Sequence, residues 1–215
     1  MLKQLIEKNS CFILKFEDFE VVAKTDLRVK KTKLMIQQGF TKCINEKTFS
    51  KISIQDLTEA MMINKSTFYK YYEDKYDLRE KMITETIRNF SERLDVSFIN
   101  PNQDLKSYEA NLPKALLPIF HHREWLKVMW SPNIEVNVFE QMQNIVANKF
   151  IIGLYAENSE ITAYDQLQAN LFAASAMQVL LWWFEIKPTA PVTEIASIIT
   201  KCLGTGTYYA FVQEK

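Results

Sequence analysis

Glycine and proline are scarce: the 215 residues include four Gly and six Pro, and no Pro precedes Pro101. A chain short of breakers runs far between turns, which favours helix over a turn-rich β architecture. The expected fold class is all-α. At 47% hydrophobic residues the chain can bury a sizeable core, and its length falls between one large domain and two small ones. That composition excludes a disordered tail protein. The three Cys, at positions 11, 43 and 202, lie too far apart for a C-x-x-C pair, so neither a disulfide framework nor a zinc pattern is expected. A reducing cytoplasm is the simplest compartment. No run reaches the ~18 consecutive apolar residues that span a bilayer, and no membrane partner is expected. Residues 1–25 carry apolar pieces interrupted by Lys15, Glu17, Asp18 and Glu20. They fit neither a secretory nor a transit peptide and are read as an N-terminal extension.

The zero net charge hides an asymmetry. Asp26 to Arg88 holds 13 Lys and Arg against 9 Asp and Glu, a local +4, and the rest of the chain is −4. A mildly basic module joined to a mildly acidic one suits a protein whose first part meets phosphates. From Leu27 to Asn45, Leu34, Ile36, Phe40 and Ile44 recur near helical spacing, with Arg28, Lys30, Lys31 and Lys33 crowded into the first turns. Those charges are either a solvated face or a phosphate-facing end, and the segment that follows favours the second.

Ser53 and Asp56 form a capping-box pattern that should start a helix, with Ile54, Leu57 and Ala60 facing the core. Met61 and Met62 make a turn. Asn64 can cap a second helix whose first turn presents Lys65, Ser66 and Thr67 while Phe68 points inward. The N-terminal residues of the second helix of a helix-turn-helix contact base edges in the major groove, and hydroxyl and ammonium groups are suited to phosphates and base edges. Tyr69 and Tyr71 are expected on the reading side and Tyr72 in the core.

These residues carry a resemblance. The S-I-Q-D-L start, the I-N-K-S-T-F-Y-K-Y-Y stretch and the following D-K-Y-D-L make residues 26–86 resemble the DNA-binding domain of the TetR/AcrR family of bacterial transcriptional regulators, with the reader at 53–72. The resemblance implies that Ser53, Lys65, Ser66, Thr67, Tyr69, Tyr71 and Lys75 approach a palindromic double-stranded operator. It also implies that residues 87–215 form a helical regulatory and dimerisation domain. Two family glycines are replaced, by Thr48 after the first helix and by Met62 in the reader turn. A left-handed Met62 would cost about 1 kcal/mol or more, unless the turn is reshaped.

Beyond Asp74 a long helix is expected to about Ser97, then a loop at N-P-N-Q (100–103). Leu105 to Trp130 reads as two shorter helices, with Pro113 and Pro118 limiting or kinking the first. The adjacent His121 and His122 cannot form an i, i+4 zinc pair, and no cofactor is expected. Helices over Glu135–Tyr155 and Tyr164–Phe184 and a final apolar stripe from Val192 to Leu203 complete the chain. G-T-G-T at 204–207 is read as a weakened helix end, because it lacks the setting of a nucleotide loop.

Trp125, Met129 and Trp130 are either core or ligand box. With Met142 and Met177 they are the candidates for the effector pocket that the resemblance implies, for a small apolar or aromatic effector. The last two helices, through Ala173, Met177, Ile195, Ile199 and Cys202, are either buried in one subunit or, as the resemblance implies, part of a four-helix interface in a homodimer. L-L-W-W-F-E-I-K-P further resembles the subgroup that includes the dihydroxyacetone-kinase activator type. The expected function is a transcriptional repressor relieved by a small effector. Its rivals are a co-regulator or activator whose C-terminal domain binds a partner protein, and a helical enzyme or carrier. No nucleophile–base pair, carboxylate dyad, metal set or phosphate loop supports the last.

Overall fold

The computed structural model describes residues 27–94, 105–154 and 161–204, and the described residues form α-helices without a strand. In chain order these are α1 (Leu27–Glu46), α2 (Ile54–Ala60), α3 (Lys65–Tyr71), α4 (Lys75–Arg93), α5 (Leu105–His121), α6 (Arg123–Trp130), α7 (Val138–Leu154), α8 (Ala163–Ile186) and α9 (Val192–Gly204). Short 3-10 turns at Phe49–Lys51 and Pro132–Ile134 join them. The N-terminal extension, the N-P-N-Q loop and residues 205–207 of G-T-G-T lie outside the described residues. The chain divides into two compact units, one holding residues up to Thr86 together with Glu124–Val138, the other Ile87–Arg123 and the residues from Phe139 onward.

In the first unit, α1 buries Ile36, Phe40, Cys43 and Ile44, while Leu34 is only half-buried. Phe49, Ile52, Leu57, Met61, Phe68 and Leu78 close the core from the following elements. Trp125 and Met129 belong to this core too. The Trp125 ring packs 6.3 Å from that of Phe40, and its indole N–H donates to Thr86 Oγ1 at 2.8 Å.

The α1 helix passes the end of α2 very closely at Gly39. A methyl group there would lie 2.5 Å from the backbone nitrogen of Met61, so only glycine lets α1 pass the end of α2. With Met61 drawn inward, α2 ends in a Schellman motif: Met62 N–H donates to Glu59 O and Ile63 N–H to Thr58 O, each at 3.1 Å. Met62 holds the left-handed position of that motif at φ 54° with 82% of its surface exposed. The turn keeps its glycine geometry without its glycine. Thr48, by contrast, is ordinary extended backbone at φ −64°, so the other missing glycine costs nothing.

The start of α2 is a complete capping box. Ser53 Oγ accepts from Asp56 N–H, and Asp56 Oδ2 accepts from Ser53 N–H at 2.8 Å. Asp56 also takes a hydrogen bond and ion pair from Lys47 at 2.8 Å. That ammonium first, then the Ser53 N–H and hydroxyl, holds the Asp56 carboxyl well below its ordinary value of 3.8.

In the second unit, α5 runs as one helix through Pro113 and Pro118. α9 packs on α5 and α8. Lys149 of α7 donates to the carbonyls of Ser91 and Leu94, satisfying the end of α4. α8 opens on a second capping box, Thr162 with Asp165, one residue before the expected start. Trp183 N–H donates to Ala190 O at 3.0 Å, closing the turn into α9. α7 begins three residues later than expected, because Ser131–Glu135 is occupied by the 3-10 turn and a left-handed Glu135.

The stripe expected at a subunit interface is corrected here. Ala173, Met177 and Ile195 expose no surface and Ile199 exposes 3%, so they form the core of their own subunit; Cys202 is half-buried.

Three outcomes are expected. Gly39→Ala should lower unfolding stability in urea by about 1–3 kcal/mol through overpacking. Met62→Gly, which relieves the left-handed strain and removes no packing, should raise it by about 0.5–1 kcal/mol after the entropy cost of glycine. Because the folded pKa of Asp56 is depressed, its contribution is present above the ordinary value of 3.8 and is lost as pH falls below it. The acid loss of stability should be shallower in Asp56→Asn, measured as urea midpoints across that range.

Candidate nucleic-acid interface

The α2–turn–α3 segment is a helix-turn-helix whose second helix is shaped by Asn64. Its side-chain oxygen accepts from Thr67 N–H at 2.7 Å and from Ser66 Oγ at 2.8 Å. This is an N-cap that fixes the first turn of α3. Phe68 is fully buried and anchors the helix from beneath. Lys65, Ser66, Tyr69 and Lys70 are left outward, with Tyr69 53% exposed. The i, i+4 spacing pairs Lys65 with Tyr69 and Ser66 with Lys70 along one side. The Tyr69 ring meets Phe68 edge-on at 5.5 Å, which sets the phenol on a stiff mount. Such a surface offers two ammonium groups and the Tyr69 hydroxyl, the chemistry that bonds phosphate oxygens and base edges, while Ser66 gives its hydroxyl proton to Asn64 and keeps acceptor capacity alone.

The other sequence-named residues stand differently. Thr67 is half-buried, with its N–H on Asn64. Tyr71 is half-buried and its ring lies 6.4 Å from that of Tyr72. Tyr72 packs 5.5 Å from the Phe68 ring, and burial pushes its phenol up to about 12. Ser53 is exposed, but its single hydroxyl proton goes to Asp56 Oδ2 at 2.7 Å, so while the box is closed it has none to donate to a phosphate. Lys75 is corrected more strongly. Its ammonium donates to the carbonyls of Phe49 (3.2 Å), Ser50 (3.0 Å) and Ile52 (2.8 Å), which uses all three protons on the turn before α2. Lys70, left out of the candidate set, is an exposed ammonium on the outward side of α3. Its i+4 relation to Ser66 was the signal that could have found it.

The five residues expected around an effector fall in different units. Trp125, Met129 and Trp130 belong to the first unit, Met142 and Met177 to the second. Met142 is fully buried, and Met177 lines a cavity of about 40 Å³ whose walls are apolar throughout, including Phe90, Leu116, Val146, Phe172 and Leu180. A drug-sized ligand needs roughly 300 Å³ or more. The cavity as it stands has room for about one water-sized guest.

No protein-family model matches the chain. Among curated proteins it is similar to an uncharacterized HTH-type transcriptional regulator, YxbF, of Bacillus subtilis (strain 168), at 26% identity over 166 residues. The match takes in 73% of this chain and 40% of that protein, so the chain spans well under half the length of the curated relative it matches.

Proposed function

We propose that this chain is a cytoplasmic, sequence-specific DNA-binding transcriptional regulator of the TetR/AcrR type, without enzymatic activity. The observation that carries the proposal is the capped, outward surface of α3, where Lys65, Ser66, Tyr69 and Lys70 stand on a helix anchored by Phe68. The similarity to an HTH-type regulator supports it. In this reading α3 enters the major groove of a palindromic operator, and a homodimer sets two such helices about 34 Å apart, one turn of DNA.

The face proposed for the dimer is the outward side of α8. Tyr164, Leu167 and Leu171 expose 66%, 51% and 53% of their surface at helical spacing, on a helix whose other side is already buried by Ala169, Ala173 and Met177. An apolar stripe of this kind is what an isologous helix pair covers.

For regulation, the first reading is a repressor released when a small apolar effector enlarges the second unit's cavity and shifts the population of dimers. The 40 Å³ volume favours the second reading, a regulator whose second unit binds a partner protein.

Lys65→Ala and Tyr69→Ala should each weaken binding to a duplex selected by the wild-type chain by about tenfold, and Lys65→Ala should reduce the salt slope by about 1. Gel shifts across a salt series measure both; unchanged retention would remove α3 as the reader. Leu167→Glu with Leu171→Glu should turn a dimer into a monomer by sedimentation while the helical circular dichroism is kept. An unchanged sedimentation coefficient would move the interface elsewhere.

A further inference from the structure

Glu135 lies 85 residues beyond Ser50, yet its carboxylate accepts two hydrogen bonds from that residue, from the N–H at 2.8 Å and from Oγ at 2.7 Å. Ser50 sits in the Phe49–Lys51 turn that runs into the Ser53 cap of α2. The same turn has its carbonyls held by the Lys75 ammonium. A carboxylate on its donors and an ammonium on its acceptors grip the turn from both sides. Charge-assisted bonds of this kind are roughly twice as strong as neutral ones.

The backbone around Glu135 is built for this grip. Glu135 is left-handed at φ 59°, ψ 26°, which a residue with a side chain adopts only where its surroundings impose it. Three contacts impose it here. Asn133 Nδ2 donates to Ile44 O at 2.8 Å, Arg79 donates to Ile134 O at 3.0 Å, and Glu135 N–H closes on Pro132 O at 3.0 Å. Ile134 is fully buried, and the Arg79 guanidinium also lies 4.3 Å from the centre of the Phe49 ring. The segment is therefore fastened to α1, to α4 and to the turn itself.

We propose that Glu135 is a positioning residue for the helix-turn-helix: it touches no DNA, and it fixes the turn that launches α2 and so the placement of α3. This rests on the DNA-binding reading of α3. The Glu124–Val138 segment is continuous at both ends with residues of the second unit, Arg123 and Phe139. Glu135 lies in the same compact unit as the turn it holds.

The test uses the full chain as wild type, E135G, E135Q and K65A, with a duplex enriched from a random library by the wild type. E135G removes the carboxylate while relieving the left-handed strain, so it should keep the helical circular dichroism and thermal midpoint. Its amides from Ser50 to Leu57 should exchange about tenfold faster, and its affinity for the duplex should fall by about tenfold, the effect of losing one charge-assisted pair. E135Q, which keeps one acceptor, should recover part of both. K65A should lose affinity with unchanged exchange. Wild-type exchange and wild-type affinity in E135G would overturn the proposal. Should the wild type enrich no duplex, the DNA-binding reading itself fails, and faster or unchanged exchange in E135G still supports or refutes Glu135 as the residue that holds the turn.

Discussion

The geometry of the first unit depends on one contact, the passage of Met61 across Gly39. Because the Met61 backbone sits where any side chain on residue 39 would be, α2 lies hard against α1, and Met61 points into the core. The chain must then turn outward at once. A left-handed residue does this in a single step, which is why Met62 bears φ 54° and stands in solvent. Two residues later Asn64 caps α3. The position of the outward surface therefore follows from a missing methyl group on a helix that carries none of that surface.

Local elements were legible because their signals are local. The Ser53–Asp56 box, the Asn64 cap and the inward Phe68 depend on neighbours within four residues, and the pattern of residue types was enough to place them; the turn at Met61 and Met62 was placed too, but its left-handed Met62 was left open against a reshaped turn. Gly39 was not legible in the same way. A glycine inside a helical pattern reads as a mild weakness until the backbone that crosses it is known. Glu135 was invisible for a related reason: its partner lies 85 residues away, and no spacing rule connects them.

The second unit shows where periodicity stops discriminating. α8 is apolar on most sides, and helical spacing identifies Ala173 and Met177 as a stripe without telling whether that stripe meets its own chain or another. Burial assigns them to the subunit's own core and leaves Tyr164, Leu167 and Leu171 uncovered. The candidate pocket residues raise the same ambiguity between core and site. Trp125 and Met129 have the composition of a ligand box, but Trp125 spends its N–H on Thr86 and packs on Phe40, as a core residue does.

Counting charge also overstates what a surface can offer. Of the lysines and arginines behind the local excess, Lys47 is paired with Asp56, Lys81 with Asp77 and Arg88 with Glu92, while Lys75 and Arg79 donate to main-chain carbonyls. These groups still add to the long-range field that steers a polyanion. Their donors are committed, though, and a phosphate would have to displace an existing bond to use them. Lys65 and Lys70 stand on α3 beside Ser66 and Tyr69, so short contacts are concentrated on one short helix. On the proposed DNA-binding reading, recognition depends on where α3 is held, and so on the turn gripped by Lys75 and Glu135.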